Sequence, residues 1–215
     1  EEHEAFTLAI ELAKKQSADI IIGTDPDCDR VGAVVRNTLG EYVVLTGNQT
    51  GALLIDYILG SLKKQGRLND RSTVINTIVT GKLGEKIAES YNVKTISVLT
   101  GFKYIAEKIK EFESSGLEFV FGYEESYGYL AGTFVRDKDA VIASMLICEM
   151  AAYYKKKGMT LYEGLMSLFR KYGFYKESLT SVTFRGKEGM EEMVRLINAL
   201  RDKLPKEVGG IKWKR

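Results

Sequence analysis

Residues 73–121 read TVINTIVTGKLGEKIAESYNVKTISVLTGFKYIAEKIKEFESSGLEFVF, and this stretch decides the fold. Residues 73–79 are rich in β-branched side chains and read as a strand, as do residues 94–99 and 117–121. Between them, residues 83–91 and 102–112 read as helices. The second carries Phe102, Ile105, Ala106, Ile109 and Phe112 on one side. A β-α-β-α-β run with such short connections predicts a mainly parallel sheet covered by helices, because parallel neighbours need a crossover. The handedness of those crossovers is nearly fixed.

Outward toward the start, residues 48–64 predict a helix with Leu53, Leu54, Tyr57, Ile58 and Leu62 on its apolar face. Residues 42–46 and 31–36 predict two strands joined by a turn at Leu39-Gly40. Residues 19–23 predict a short buried strand, and residues 4–16 a helix striped by Ala5, Phe6, Ala9, Ile10, Leu12 and Ala13. Toward the end, residues 139–155 and 161–172 predict helices. After Gly173 a strand (177–185) and a helix (188–203) predict a separate unit.

The 215 residues suit one large domain, or one domain with pieces of its neighbours. A 45% hydrophobic and 28% charged composition is that of a globular protein. A net charge of +2 gives no support for a nucleic-acid partner. No membrane span or signal peptide is visible. The two cysteines, Cys28 and Cys148, form no disulfide framework, so a reducing cytoplasm is the default location. Cys28 reads as a small space-filler and Cys148 as a core residue. His3 reads as a solvated surface residue. The chain opens at Glu1 in mid-pattern, and Gly209-Gly210-Ile211-Lys212-Trp213 reads as the start of another element. Both features predict a piece of a longer protein.

The chemistry concentrates at Asp25-Pro26-Asp27-Cys28-Asp29-Arg30, directly after Ile20-Ile21-Ile22-Gly23. In a strand, Asp25 and Asp29 would lie about 13 Å apart. In a helix the middle aspartate would point away, and Pro26 disfavours a helix interior. The three carboxylates converge only in a tight loop at a strand end, and they repel one another unless a cation sits between them. Hard oxygen ligands without His or thiolate suit Mg²⁺ or Ca²⁺. An EF-hand loop does not fit: its sixth position needs Gly and is Arg30, and its twelfth needs Glu and is Arg36. Arg30 beside an acidic metal site points to an anion joining the cluster, and phosphate fits. A solvated acidic turn without metal is the plainer alternative.

Three more loops follow predicted parallel strands: Thr80-Gly81-Lys82, Thr100-Gly101-Phe102-Lys103, and Gly122-Tyr123-Glu124-Glu125-Ser126-Tyr127-Gly128. Parallel strands place them along one rim, where α/β sheets gather ligands. Thr100-Gly101 offers N–H groups and a hydroxyl to an anion or sugar oxygen, or is a plain N-cap. Glu124 and Ser126 can grip vicinal hydroxyls, or are an exposed turn. Arg136-Asp137-Lys138-Asp139 can bring cations to a phosphate, or is an ordinary charged helix start.

Taken together these motifs resemble the α-D-phosphohexomutase superfamily, the phosphoglucomutase and phosphomannomutase enzymes. The acidic loop is similar to that family's magnesium loop, D-x-D-x-D-R. The resemblance implies Asp25, Asp27 and Asp29 as ligands of Mg²⁺, and Arg30 as a catalytic cation that neutralises phosphoryl charge. The stretch from Gly122 to Gly128 resembles the G-E-x-S sugar loop, implying Glu124 and Ser126 as substrate-binding. Thr100-Gly101-Phe102-Lys103 resembles the T-G-[FW]-K loop, implying that Thr100, Gly101 and Lys103 contact the sugar and its phosphate. Arg136-Asp137-Lys138-Asp139 resembles a cationic segment, implying Arg136 in substrate placement and Lys138 near the reacting hydroxyl. Gly47-Asn48-Gln49 through Leu54 is typical of bacterial members.

The departures are equally specific. The family's T-x-S-H-N nucleophile loop and its R-x-S-G-T-E-P phosphate loop do not occur in these residues. The resemblance therefore implies an α/β fold: a three-layer α/β/α domain with a mainly parallel mixed sheet, plus partial flanking domains. Residues 1–40 would end domain 2 and carry the metal loop, 41–172 would be a complete domain 3, and 173–215 a linker and the opening of domain 4. The implied parent is a cytoplasmic isomerase that interconverts hexose 1-phosphate and hexose 6-phosphate through a phosphoserine, Mg²⁺ and a hexose 1,6-bisphosphate intermediate. Cys28 and the doubled Glu124-Glu125 look closest to the glucose-preferring and phosphopentomutase-like branch. Without the serine the fragment is expected to be inactive. A noncatalytic sugar-phosphate binding module and a calcium-stabilised structural domain are the other readings.

Overall fold

The computed structural model describes residues 3–177, 182–205, 207–208 and 210–212. A short 3-10 turn, His3–Phe6, leads into helix α1 (Thr7–Gln16). Strands β1 (Ile20–Thr24), β2 (Val31–Arg36) and β3 (Tyr42–Val44) form an antiparallel sheet in that order, with Gly23 opposite Gly32 and Val34 opposite Val44. The acidic loop is thus the β1–β2 connection. The alternation of β2 uses both faces of this sheet. Val34 packs with Phe6 and Val44 on the α1 side, while Val31, Ala33 and Val35 enter the main core.

Helix α2 (Gly47–Lys64) begins at a capping box, Thr46 accepting from the Gln49 N–H and Gln49 returning the bond to Thr46. Thr46 is therefore a cap and not, as its β-branched side chain predicts, the last strand residue. The second sheet has the order β5-β4-β6-β7, built from β4 (Ser72–Thr77), β5 (Lys94–Val98), β6 (Glu118–Tyr123) and β7 (Tyr129–Ala131). Strands β5 and β6 run parallel to the central β4, and β7 returns antiparallel to β6. Helices α3 (Leu83–Ser90) and α4 (Phe102–Ser115) make the crossovers. They lie on opposite faces, as right-handed crossovers running in opposite directions require. Leu83 and Ile87 of α3 join Val74, Phe121 and Tyr123. Phe102, Ile105, Ile109 and Phe112 of α4 join Ile75, Val98 and Leu130. Helices α5 (Ala140–Lys156) and α6 (Leu161–Tyr172) complete the first layer with α2. This is the predicted three-layer α/β/α arrangement around a mixed, mainly parallel sheet.

Two expectations are corrected. Cys148 is exposed. Helix α5 buries Ala143, Ile147, Met150 and Tyr154, and one residue beyond Ile147 turns a side chain by about 100° to the outer face. Strand β7 was not foreseen, because Tyr129-Leu130-Ala131 is too short to show alternation. In the expected 177–185 strand, residues 178–181 lie outside the described residues, and 182–185 form no strand. The side chain of His3 also lies outside them.

Contacts divide the chain into Glu1–Lys176 and Glu177–Arg215. The second unit contains helix α7 (Gly186–Asp202), with no buried residue, and the short antiparallel pair β8 (Glu207–Val208) and β9 (Ile211–Lys212).

Candidate functional site

The acidic loop is closed by its own backbone. The N–H of Asp25 donates to the Arg30 carbonyl at 3.3 Å, and the N–H of Cys28 to the Asp25 carbonyl at 3.0 Å. Cys28 takes φ 58°, a left-handed conformation that reverses the chain between Asp27 and Asp29. The three aspartates each bring a carboxylate oxygen to within 4.8 Å of the others. The convergence inferred from the spacing is therefore present.

The loop's charge is already partly balanced. Asp25 Oδ1 accepts the backbone N–H groups of Asp29 (3.1 Å) and Arg30 (3.0 Å), and its Oδ2 accepts Arg30 Nε at 2.8 Å. Burial acts to raise the Asp25 pKa, but these Arg30 and Asp29 bonds prevail and hold the carboxyl well below the usual carboxylate range. Lys138 Nζ reaches Asp29 Oδ2 at 2.8 Å. Partial burial works to lower the Lys138 pKa, yet Asp29 and Asp137 outweigh it and the net shift is upward. Lys138 is held as an ammonium ion, not as a base. Asp29 Oδ1 is buried without a hydrogen-bond partner. Arg30 Nε lies 3.6 Å from that oxygen, so an ion pair offsets its charge although no donor bonds it, and a second cation would offset it further.

The acidic loop and the 122–128 loop form one backbone unit. Arg30 bridges to Gly128, and the Val31 N–H donates to the Tyr127 carbonyl at 3.1 Å. Residues 124–128 close the β6–β7 hairpin, the Glu124 N–H donating to Gly128 O at 2.9 Å. A side chain at Gly128 would displace Lys138, because a Cβ there would lie 2.3 Å from Lys138 Cδ. Lys138 thus passes over Gly128 to reach Asp29. The Ala140 N–H donates to Cys28 O at 3.1 Å, and Asp139 caps α5 through the Val141 and Ile142 N–H groups.

The rim prediction also holds in space. Glu124, 5% exposed, accepts the Gly101 N–H at 2.9 Å through Oε1. Burial raises the Glu124 pKa against the opposing pull of that N–H and of Lys138. Gly101, not Thr100, occupies the N-cap position of α4, so Thr100 is exposed and is not a cap. Ser126 is exposed at the hairpin tip. Lys103 lies over the Tyr104 ring at 4.8 Å. Arg136 forms an ion pair with Glu113 in the last turn of α4. Lys103 and Arg136 line one cavity of about 500 Å³ with Asp137, and the three clustered aspartates are not in its lining. The structure therefore brings together Asp25, Asp27, Asp29, Arg30, Lys138, Glu124 and Gly101. Lys103 and Arg136 instead meet the Tyr104 ring and Glu113.

Sequence reasoning overlooked Glu125. Its Oε2 accepts Thr77 Oγ1 at 3.1 Å and Thr80 Oγ1 at 3.3 Å. It also overlooked why Gly47 is glycine: a Cβ there would lie 2.0 Å from the Glu125 carbonyl oxygen. Beside it, Asn48 Oδ1 accepts the Gly81 N–H at 3.0 Å. These hydrogen bonds join positions 33 to 48 residues apart, beyond any local signal.

Fold and site define a class: an α/β domain whose strand-end loops meet a three-carboxylate loop flanked by two cations. A family profile described as phosphoglucomutase/phosphomannomutase, alpha/beta/alpha domain III, matches residues 46–172, and the corresponding domain II profile matches residues 1–40. The chain belongs to the phosphoglucomutase/phosphomannomutase family. It is 42% identical over 212 residues to a phosphoglucomutase of Staphylococcus haemolyticus, a match covering 99% of this chain and 38% of that protein. The chain spans 38% of the length of such curated relatives. Among solved structures it resembles a phosphoglucomutase/phosphomannomutase family protein from Burkholderia thailandensis, with a TM-score of 0.64 at 15% identity, covering 97% of this chain and 40% of that one. It also resembles an Aspergillus fumigatus N-acetylphosphoglucosamine mutase in complex with GlcNAc-6P and magnesium, with a TM-score of 0.51 at 15% identity, covering 74% and 36%. No helix among the described residues is long and apolar enough to cross a membrane.

Proposed function

We propose that this chain is part of a phosphohexomutase that interconverts hexose 1-phosphate and hexose 6-phosphate, with glucose as the preferred sugar. The observation that carries the reading is the convergence of Asp25, Asp27 and Asp29 on a loop bonded directly to the 122–128 loop. In this reading residues 1–40 close domain 2, 41–172 form domain 3, and 173–215 link to domain 4. The enzyme works in the cytoplasm as a phosphoprotein. Its phosphoserine lies in another part of the polypeptide, because these residues contain no T-x-S-H-N loop.

The donor set fits Mg²⁺: three hard carboxylates, one with an oxygen buried and unbonded. Asp25, Asp27 and Asp29 hold the ion, which when bound supplies Lewis-acid neutralisation of phosphoryl charge. The related Aspergillus enzyme's magnesium and GlcNAc-6P support both the cofactor and a sugar-phosphate substrate. Arg30, locked by Asp25, presents fixed positive charge where phosphoryl oxygens develop negative charge. Lys138 adds a second cation, and its pairing with Asp29 keeps it an ammonium that stabilises negative charge near the reacting hydroxyl. Glu124 and Ser126 accept and donate to sugar hydroxyls. Thr100, Gly101 and Lys103 meet the sugar and its phosphate. Arg136 places the phosphate by exchanging Glu113 for it. A hexose 1,6-bisphosphate turns between two poses within this grip. Placement and charge neutralisation carry the catalysis.

The test is conversion of glucose 1-phosphate by the full-length protein with and without Mg²⁺. Magnesium-dependent conversion is expected, reduced on the order of 10²-fold in Asp27→Asn. The isolated 215-residue chain should show none. A full-length protein that binds glucose 1-phosphate and never isomerises it would establish a binding module instead.

A further inference from the structure

The 122–128 hairpin is bonded to the acidic loop on one side. Its other side is held by a carboxylate that makes no contact with the aspartate cluster. Glu125 turns away from Glu124 and Ser126 toward the end of β4, where Oε2 receives both Thr77 and Thr80 hydroxyls. Those hydroxyls are 2.8 Å from each other, and Thr80 Oγ1 also accepts the Thr77 N–H at 3.1 Å. Thr77 is fully buried and Thr80 is 3% exposed. The Glu125 carbonyl is pressed against Gly47 at the start of α2, with no room for a methyl group. Asn48 on the next residue holds the β4–α3 loop through Gly81 N–H. Three segments otherwise unlinked in sequence therefore meet at one residue: the hairpin, the β4–α3 loop and the α2 N-terminus.

We propose that Glu125 is a positioning residue, whose bonds to Thr77 and Thr80 fix the hairpin so that Glu124 and Ser126 face the sugar. This rests on the reading of Glu124 and Ser126 as sugar ligands. The doubled glutamate divides the work: Glu124 accepts the Gly101 N–H on the rim, while Glu125, in the hairpin turn, meets Thr77 and Thr80, so one carboxylate serves the ligand and the next the scaffold. The two hydroxyls hold two protons for three contacts, so one donates to the other and the second to the carboxylate, a charge-assisted bond stronger than a neutral one. Loss of these contacts frees the hairpin tip without touching the sugar ligands.

The test uses Glu125→Ala, Glu125→Gln and Thr80→Val. The first removes the acceptor, the second keeps an oxygen that both hydroxyls can reach, and the third deletes one donor at nearly constant volume. Amide hydrogen exchange on the chain reads the Glu124 and Gly101 N–H groups. Calorimetry on the full-length protein reads affinity for glucose 1-phosphate. Glu125→Ala is expected to speed exchange at both amides and weaken binding about tenfold, and Thr80→Val to do so to a lesser degree. Glu125→Gln should restore most of both, which a merely misfolded hairpin would not allow. Unchanged exchange at Glu124 and Gly101 in a cooperatively melting Glu125→Ala overturns the proposal. If the wild-type full-length protein binds no glucose 1-phosphate, the sugar-loop reading fails, while the exchange data still decide whether Glu125 sets the hairpin.

Discussion

Glu124 and Asp25 are the two carboxylates whose surroundings pull hardest, and they pull in opposite directions. Asp25 is held ionised by donors, so its contribution to stability is present above its unfolded pKa of about 3.8 and is lost as pH falls. Glu124 is desolvated and its pKa is raised, so the folded chain binds its proton more tightly than the unfolded one. Stability therefore falls as pH rises from the ordinary glutamate value of 4.5 through the raised one. Glu124→Gln keeps an oxygen for the Gly101 N–H and removes the desolvated charge. It should raise the melting temperature at pH 7 and lose that advantage at pH 4, while sugar-phosphate binding weakens. A melting temperature that drops at pH 7 in this variant would contradict the assignment. The buried carboxylate is thus a stability cost, which a role in binding sugar would explain.

At the scale of elements, helix α2 supports the site from behind. Its Thr46–Gln49 capping box fixes the first turn, and Gly47 sits against the hairpin. Thr46→Ala should cost about 1 kcal/mol in denaturant unfolding. Gly47→Ala should cost more, because the new methyl meets backbone rather than a movable side chain. A Gly47→Ala protein as stable as wild type would show that the hairpin can move aside freely. The parallel core was readable because each strand is a β-branched run between helices with clear apolar stripes. The acidic loop was readable because alternate aspartates after a strand have one convergent geometry. Strand β7 was not, since three residues carry no period and the hairpin turn has no Asn-Gly or Asp-Gly signature. Thr46 was misassigned because β-branching favours a strand, while a Gln three residues later makes it a cap. The Glu125 anchor and the Arg136–Glu113 pair depend on contacts across the fold, which no window of sequence encodes.

At the scale of the molecule, the antiparallel sheet and the parallel sheet share one core within Glu1–Lys176. Val31, Ala33 and Val35 from β2 lie in the same buried cluster as Val74 and Phe121 from the other sheet. The acidic loop is therefore held by the core that holds the 122–128 loop. Ile55, fully buried between the layers, should cost about 2–5 kcal/mol when cut to Ala, with probes in β2 and β4 melting together. Separate transitions in the two sheets would contradict a shared core. The central claim is that Asp25, Asp27 and Asp29 collect a divalent ion at the edge of the sugar-binding rim. Its most direct measurement is a crystal structure of the protein grown with Mn²⁺ in place of Mg²⁺, with anomalous scattering recorded. One strong peak bonded to oxygens of all three aspartates is expected, with its disappearance in Asp27→Asn. A well-ordered acidic loop with no peak among those carboxylates would contradict the claim.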